Sequence, residues 1–346
     1  MNKQKYSQLQ LVAIVILFFV SIFFGIKIYR YIQGVSTQTG ITPRILTQLL
    51  FDGVVSLKST EGRINVLLLG MSGGSHEGPD LTDTMIVASV SKIGPAISLL
   101  SLPRDIWSET LKDKINSAYH YGEEKRKGGG KILAKAIVED VTGLVIHYVV
   151  VIDFSRFENL IDMVGGVDIV VLKAFIDPQY PITGKENDEC GGDATFSCRY
   201  ETVQFQAGPQ HVNGSIALKY VRSRHAEGDE GTDFARGVRQ QDIIVALKDK
   251  IMKSKPWLHP NTSLKLLQIA DVATDTDMTI GEQLTMGKYL MSVQLQAITK
   301  ISIEPLLITP PSWMYGRYVL VPEKDYETIH AFIRSTLMQE EERFRQ

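Results

Sequence analysis

The sequence predicts an α/β fold in which helices cover both faces of a mixed central sheet, preceded by one transmembrane helix. Three observations support this prediction. Residues 64–69 form an apolar run typical of a buried strand. Residues 84–90 and 96–102 flank a turn at 91–95 and predict an antiparallel hairpin. Strand and helix patterns then alternate, which combines parallel and antiparallel pairing in one sheet.

The later elements follow from hydrophobic periodicity and from cap and stop signals. Strands are predicted at 147–152 and 167–172, with a further strand pair before the last helix. Residues 177–206 are predicted to be a long polar insertion. Ser155 and Asp233 are the predicted N-caps of two helices. The predicted helices span 131–142, 156–163, 215–221, 234–252, 264–273, 280–297 and 326–337, with a possible short helix at 43–55.

The N-terminal region predicts a membrane anchor. Residues 11–26 carry no charge, and the apolar stretch extends past Lys27 and Arg30, whose charges can reach the interface, toward the ~20 residues that cross a bilayer. No small-residue cleavage site precedes Lys27, so an uncleaved signal anchor is favoured over a signal peptide. We therefore expect a single-pass protein of the cell membrane with an extracytoplasmic C-terminal part. The predicted divisions are a cytoplasmic head (1–10), anchor (11–32), stalk (33–62), catalytic domain (63–255) and C-terminal extension (256–346).

Composition narrows the class of partner. Of the 346 residues, 37 are basic and 39 acidic, giving a formal net charge of −2. A balance this close to zero argues against nucleic-acid binding, which requires a positive field over a whole face. Cys190 and Cys198 are the two cysteines, and in an exported chain they can form a disulfide. Two free thiols are the alternative; zinc would need two more ligands nearby.

The segment 219–241 (KYVRSRHAEGDEGTDFARGVRQQ) is unusually rich in arginine. Helical phase predicts one inward stripe, apolar at Ile243, Ile244, Leu247 and Ile251 and ionic or polar at Gln240, Arg236 and Asp233. A buried guanidinium must be satisfied. An ion pair of Arg236 with Asp233 is the simple explanation. Convergence on an anionic ligand such as phosphate is predicted for the full set, which is Arg222, Arg224, Arg236 and Arg239.

Two glycine-rich segments each match only part of a catalytic or phosphate-binding motif. The sequence Gly70–Gly74 matches the nucleophile-elbow pattern around Ser72, but no helix follows it at once. The glycines before Lys131 lack the rest of a phosphate-binding loop. Asp83, Arg104 and Asp105 stand near predicted strand ends, where α/β folds bind ligands. Each could be a local ion pair, but together they offer carboxylates for a hard cation and arginine for phosphate.

Several motifs in order resemble the catalytic domain of the LytR-CpsA-Psr family. They are INVLLLG, LTDTMIVASV, SLLSLPRDIW, KINSAYHYG, YVVVIDFSRFENLIDMVGGVDIVV, FQAGPQHVNGSIALKYVRSRH and DFARGVRQQ. The resemblance covers roughly residues 64–250, and the predicted anchor agrees with it. It implies a transferase that moves a glycopolymer from a polyprenyl-pyrophosphate carrier to peptidoglycan or a similar envelope acceptor. The prenyl tail is expected in an apolar pocket between sheet and helices.

The resemblance also implies roles for individual residues. Asp83 is expected to bind Mg²⁺ or Mn²⁺. The pyrophosphate is expected to contact Arg104, Lys114, Arg222, Arg224, Arg239 and Gln240. The expected catalytic group is Asp105, Asp233 and Arg236, either aspartate being the candidate base or orienting residue.

This chain departs from the family pattern at two positions. Ser72 stands where the family usually has aspartate, and Leu81 where it usually has arginine. Asp80 or Glu77 could supply the missing metal ligand. Two alternatives to the transferase stay open: a membrane-anchored module that binds the lipid-linked glycan without turnover, and a lipid pyrophosphatase.

Overall fold

The computed structural model describes residues 55–71, 80–94, 96–254 and 274–345. The predicted anchor and stalk helix, Ser72, Glu77 and the predicted helix 264–273 lie outside these residues. Within them, no helix has the length and apolar character needed to span a membrane. Contacts divide the chain into a large unit, 57–278 with 286–346, and a small one, 1–56 with 279–285. The site described below lies in the large unit.

Strands and helices alternate along most of the described chain. The strands are β1 (Arg63–Met71), β2 (Thr82–Ser91), β3 (Ile97–Ser101), β4 (Trp107–Ser108), β5 (Asp113–Lys114), β6 (Tyr148–Asp153), β7 (Val167–Val171), β8 (Phe175–Pro181), β9 (Tyr200–Phe205), β10 (Gly208–Val212), β11 (Asp275–Thr276), β12 (Ile298–Ser302), β13 (Leu307–Ile308) and β14 (Val321–Pro322). The α-helices are α1 (Ala118–Lys125), α2 (Gly129–Thr142), α3 (Phe154–Met163), α4 (Gly214–Arg222), α5 (Asp233–Lys253), α6 (Ile280–Ser292), α7 (Ser312–Tyr315) and α8 (Tyr326–Arg345).

The central sheet is mixed, as the sequence predicts. Its strand order is β11-β6-β1-β2-β3-β12. Strand β1 pairs antiparallel with β2 and parallel with β6, and β2 pairs antiparallel with β3, which confirms the predicted hairpin. Edge strand β12 runs parallel to β3. Residues beyond the predicted boundary at 256 therefore complete the same sheet that the earlier motifs build.

Alternate side chains of the strands enter two cores, one on each face of the sheet. Leu67 and Leu69 of β1 lie in a core that helices α1, α2 and α8 cover, while Ile64 and Val66 lie in the core on the other face. Helices α5 and α6 contribute to that second core through residues such as Ile244. This arrangement confirms the prediction of helices on both faces.

A third core lies between α3, α4, α5 and the strand pairs β7–β10 and β8–β9. Because of it, the single inward stripe predicted for α5 is wrong. Ile243 is buried in the third core, with Leu247 packed against it, whereas Ile244 packs in the core under the sheet. Helix α5 thus packs between two apolar cores. Ile251, the last residue of the predicted stripe, is only partly buried.

Both N-caps lie earlier in the chain than predicted, by two residues for α3 and by one residue for α5. The carboxylate of Asp153 caps α3 by accepting from the Arg156 amide at 2.8 Å. The hydroxyl of Thr232 caps α5 by accepting from the Ala235 amide at 3.2 Å. These residues are favoured caps because a short side-chain oxygen reaches an unpaired amide of the first turn. The carboxylate of Asp233 is consequently free to contact the next turn of α5.

The predicted insertion 177–206 is an ordered hairpin rather than an irregular loop. Strands β8 and β9 form its two arms, joined through an exposed tip. The Cys190–Cys198 disulfide closes that tip, with Cα atoms 5.5 Å apart, which confirms the predicted pairing. The hairpin carries Asp177 and Tyr180 next to the arginine-rich segment.

Candidate functional site

The ends of β2 and β3 bring two arginine–aspartate contacts together. Arg104 follows β3 and forms an ion pair with Asp83 at the start of β2. Its Nε lies 3.4 Å from Asp105 Oδ2, and Lys114 Nζ lies 2.5 Å from Asp105 Oδ1. Burial alone lowers the pKa of Arg104, but Asp83 and Asp105 raise it, and the net shift is upward. Arg104 is therefore fixed as a cation.

Backbone contacts fix the position of these side chains. The Thr82 hydroxyl donates to the Asn116 carbonyl at 3.1 Å, and the Asn116 amide donates to the Arg104 carbonyl at 3.3 Å. The Ile115 amide donates to the Ile106 carbonyl at 2.8 Å. The segment that carries Lys114 is therefore hydrogen-bonded to the segment that carries Arg104. Rotamers held in this way need little reorganisation when an anion binds.

Helix α5 supplies a second ion pair. Arg236 Nη2 lies 2.8 Å from Asp233 Oδ1, which confirms the Arg236–Asp233 ion pair that the sequence suggested. Burial lowers the pKa of Arg236, Asp233 raises it, and the nearby cations Arg104 and Arg224 lower it further. The net shift is downward. The positive charges of Arg104 and Arg224 thus both act on the Arg236 guanidinium.

A small cavity of about 100 Å³ joins the two ion pairs, and we call it the ionic cavity. It lies between the first turns of α5, the end of β3 and the end of β12. Four residues predicted for the site line it: Asp83, Asp233, Arg236 and Gln240. The neighbouring Gln241 also lines the cavity, and its side-chain amide donates to the Leu99 carbonyl at 2.9 Å and to Ser101 Oγ at 2.8 Å. Gln241 therefore anchors α5 to β3.

Arg222 and Arg224 approach from the end of α4. The Arg222 guanidinium lies 4.3 Å from the centre of the Phe154 ring and donates to the Tyr180 hydroxyl at 3.3 Å. Arg224 is exposed, and its amide donates to Asp177 Oδ2 at 3.0 Å. Among the described residues, neither guanidinium forms an ion pair with a carboxylate. Both remain available to an anion.

Arg239 differs from the other arginines of the segment. It is 2% exposed, and protein acceptors surround its guanidinium. Nε donates to the Tyr220 carbonyl at 3.0 Å, Nη1 to the Glu230 carbonyl at 3.0 Å and Nη2 to the Ser223 carbonyl at 2.5 Å. These bonds occupy the guanidinium, so they do not favour the pyrophosphate contact that was predicted for Arg239. Its geometry is that of a framework residue that holds the loop after α4.

The structure places Asp80 and Asp105 in different surroundings from Asp83. Both Asp80 oxygens lie 2.9 Å from Nδ1 of His120 on α1, so Asp80 has a partner outside the ionic cavity. Asp105 is buried between Arg104 and Lys114. Arg104 and Lys114 therefore engage both of its carboxylate oxygens. Asp105 was predicted to be either a base or an orienting residue, and its contacts suit the orienting role.

The oxygen donors at the cavity fit a hard cation. Asp83 and Asp233 both line it, and each is paired with an arginine through one carboxylate oxygen. Oxygen-only donors suit Mg²⁺ or Mn²⁺ better than zinc. Asp83, the metal ligand expected from the resemblance, is therefore the residue that could hold such an ion here.

Two residues near the site were not identified from the sequence. Asp177 is buried and accepts from the amides of Arg224, at 3.0 Å, and His225, at 3.3 Å. Its position at the start of the predicted insertion gave no signal of this role. Glu304 lines the ionic cavity but lies about sixty residues beyond the last motif of the resemblance. Only the parallel pairing of β12 with β3 brings Glu304 to the cavity.

A larger cavity of about 670 Å³ adjoins the ionic cavity, and we call it the outer cavity. The two share lining residues Phe234, Val238 and Glu304. The outer cavity lies between α5, β7, β8 and α4, and therefore against the third core. Its volume falls in the range of ligand pockets. The apolar pocket that the resemblance implies was expected between sheet and helices, which is a different place.

The sequence model of the LytR_cpsA_psr family matches residues 28–331. The chain belongs to the LytR-CpsA-Psr family. The family match extends beyond the motifs at 64–250 and includes β12, Glu304 and the start of α8. The resemblance drawn from the motifs is thereby confirmed.

Two relatives of this LytR-CpsA-Psr protein have names that refer to teichoic acid transfer or to cell wall biosynthesis. The polyisoprenyl-teichoic acid–peptidoglycan teichoic acid transferase TagV of Bacillus subtilis (strain 168) is 27% identical over 289 residues, 81% of this chain and 66% of the relative. The cell wall biosynthesis protein LcpA of Corynebacterium glutamicum is 26% identical over 331 residues, 88% of this chain and 58% of the relative. The chain thus spans about half to two thirds of these relatives' length.

Solved structures share the fold of the family. The crystal structure of B. subtilis TagV superposes with a TM-score of 0.58 at 24% identity, covering 82% of this chain and 98% of the other. A structure described as TagT bound to LI-WTA has a TM-score of 0.55 at 20% identity and covers 82% of this chain and 94% of the other. At these identities the likeness establishes the fold alone.

Proposed function

We propose that this protein is a phosphotransferase that moves a glycopolymer from a polyprenyl-pyrophosphate carrier to a peptidoglycan-like acceptor. One observation carries the proposal. Arg236 lines the ionic cavity, and Asp83, which lines it too, holds Arg104 in an ion pair. The charges of Arg104 and Arg224 lower the pKa of Arg236, after burial. Arginines gathered beside a cavity favour a ligand that carries two or more negative charges. A pyrophosphate has that charge.

Relatives favour the same chemistry. B. subtilis TagV is named as a polyisoprenyl-teichoic acid–peptidoglycan teichoic acid transferase. We further propose that residues 11–32 anchor the protein in the cell membrane and that the described part is extracytoplasmic. The apolar character of residues 11–26 supports the anchor. The Cys190–Cys198 disulfide supports an oxidising compartment outside the cytoplasm.

The residues divide the work of phosphoryl transfer among them. The guanidiniums of Arg104, Arg222, Arg224 and Arg236 bind non-bridging oxygens and stabilise negative charge as it moves to the leaving lipid phosphate. Asp105 holds Arg104 and Lys114 in place from beneath. Asp233 fixes Arg236 through their 2.8 Å contact. Asp83 would hold Mg²⁺ or Mn²⁺, which when bound supplies further positive charge to the phosphate oxygens.

The test is lipid phosphate release by the full chain purified in detergent. A polyprenyl-pyrophosphate-linked disaccharide serves as donor and soluble peptidoglycan fragments as acceptor, with and without MgCl₂. We expect release of polyprenyl phosphate and a phosphodiester-linked product in the presence of magnesium. Arg222→Ala removes one preorganised cation and should lower the rate by about 10²–10³-fold. Lys185→Ala, an exposed position on the disulfide hairpin, is the matched control.

Other outcomes separate the remaining readings. Donor binding without release in either condition would indicate a binding module. Release of lipid phosphate with water as the only acceptor would indicate a pyrophosphatase. The binding module is motivated by Ser72 and Leu81, where the family's usual aspartate and arginine are missing. An Arg222→Ala rate equal to that of the wild type would contradict the assigned pyrophosphate site.

A further inference from the structure

Glu304 occupies the junction of the two cavities. It begins a short 3₁₀ turn, Glu304–Leu306, directly after edge strand β12. Its side chain lines both the ionic cavity, with Asp83 and Arg236, and the outer cavity, with Phe234 and Pro305. Glu304 is partly buried. It is the one acidic residue that both linings share.

Every other acidic residue that lines these cavities is paired with a cation. Asp83 contacts Arg104 and Asp233 contacts Arg236 in the ionic cavity. In the outer cavity the pairs are Asp229 with Lys173, Glu230 with Arg239 and Asp242 with Lys300. Within the part of the chain that the structure describes, Glu304 has no ion pair. It is thus the one lining carboxylate whose negative charge no lysine or arginine compensates.

Pairing decides which carboxylate can accept a proton. A neighbouring guanidinium stabilises the anion and weakens it as a base, whereas burial without a cation has the opposite effect. Burial raises the pKa of Glu304, and the negative charge of Asp233 raises it further. A general base works best when its pKa lies nearer the working pH. Asp105 and Asp233, the bases considered from the sequence, are both held by cations.

We propose that Glu304 is the general base of the transfer reaction and that the acceptor glycan reaches it through the outer cavity. This inference deepens the proposed function and rests on it. The outer cavity can take a polar acceptor because charged residues that can form hydrogen bonds stand among the apolar ones in its lining. The charged groups facing Glu304 in the two cavities are Asp83, Lys173, Asp229, Glu230, Asp233, Arg236, Arg239, Asp242 and Lys300.

The step balances without any further reagent. The hydroxyl oxygen of the acceptor forms a bond to the phosphorus that carries the glycopolymer. The bond from that phosphorus to the bridging oxygen breaks, and polyprenyl phosphate leaves with the electron pair. The hydroxyl proton passes to the Glu304 carboxylate and then to solvent. Glu304 and Asp233 both line the ionic cavity and Glu304 also lines the outer cavity, so the attacking oxygen and the arginine-bound phosphate can meet at the junction of the cavities.

The test compares Glu304→Gln with Glu323→Gln in the full chain. Glu323 is exposed, and its amide donates to the Leu306 carbonyl at 2.9 Å, so the control lies next to the same turn. We expect Glu304→Gln to lower the transfer rate by about 10²-fold or more, the usual contribution of a positioned base. Donor binding, measured with the polyprenyl-pyrophosphate disaccharide, should stay within about twofold of wild type on this reading. Glu304→Asp, which keeps the carboxylate, should recover part of the rate.

The pH profile provides a readout that a structural role does not move. Wild-type kcat/KM should fall on the acid side as Glu304 takes up a proton, and this limb should disappear in Glu304→Gln. Should Glu304→Gln fail to fold, the absence of an acid limb in the wild-type profile would overturn the proposal. A Glu304→Gln rate within about twofold of wild type, or a parallel loss of donor binding, would also overturn it. Wild-type protein that releases no lipid phosphate to acceptor or water refutes the proposed function itself.

The acceptor route has its own variant. Leu172 lines the outer cavity and is 79% exposed, so Leu172→Trp narrows the cavity without disturbing a core. We expect the KM for the peptidoglycan fragment to rise severalfold while the KM for the donor is unchanged. Val170→Trp, two residues earlier on β7, exposed but outside the cavity lining, is the control. Equal acceptor KM values for both variants would exclude this route.

Discussion

Two buried arginines three residues apart on α5 lie in opposite kinds of surroundings. Arg239 is enclosed by three backbone carbonyls, the Glu230 carboxylate and the Phe175 ring, whose centre is 4.8 Å away. Arg236 has one carboxylate partner, Asp233, and faces a cavity together with other cations. The first guanidinium is satisfied by the protein; the second requires a ligand to balance the cations around it.

The comparison shows how an arginine-rich segment divides its work. Burial lowers the pKa of both arginines, so the direction of the shift does not distinguish them. The number of hydrogen-bond acceptors around each guanidinium does distinguish the two arginines. A guanidinium with its donors saturated contributes to stability, whereas one beside like charges and an open cavity contributes to binding.

The largest expected effect is on stability and comes from Arg239. Replacing it with alanine leaves the Glu230 carboxylate and the Tyr220 and Ser223 carbonyls without their donor. Breaking a buried charge pair in this way costs about 3–5 kcal/mol. We expect Arg239→Ala to lower the free energy of unfolding by that amount in a urea titration. A loss below about 1 kcal/mol would place Arg239 with the ligand-binding arginines instead.

The next effect is on activity and comes from Arg236. Removing a cation that stabilises transferring phosphate costs about 2.7–4 kcal/mol of transition-state stabilisation, or about 10²–10³-fold in rate. We expect Arg236→Ala to lose transfer by that factor. Its free energy of unfolding should fall less than that of Arg239→Ala, because Asp233 is partly exposed to solvent. The opposite ranking of the two variants in the two measurements would reverse the comparison.

The smallest effect tests the support of the binding arginines. Asp177 accepts from the Arg224 and His225 amides, and Asp177→Asn weakens both bonds by removing the charge. Losing a buried hydrogen-bond acceptor costs about 1–3 kcal/mol. We expect a modest loss of stability and a transfer rate lowered by about tenfold through misplacement of Arg224. Asp168→Asn, at an exposed acid of β7, is the control; equal transfer rates for the two variants would remove Asp177 from the site.

Most of the sheet and the location of the binding residues followed from local signals in the sequence. The apolar run of β1, the hairpin of β2 and β3 and the arginines between 222 and 239 all have short-range patterns. The caps were misplaced because Asp153 and Thr232 compete with equally good neighbours within two positions. The stripe of α5 was misjudged because periodicity reports one buried face, whereas α5 packs against two cores.

By itself, the sequence determined the mixed α/β class, the paired cysteines and the cationic character of the site, since each depends on residue type and close spacing. The tertiary structure decided which arginine is framework and which faces the cavity, and it brought Glu304 to the cavity that Asp233 lines from some seventy residues along the chain. The physical reason is that burial, acceptor supply and charge balance depend on neighbours in space. Local patterns do not contain those neighbours.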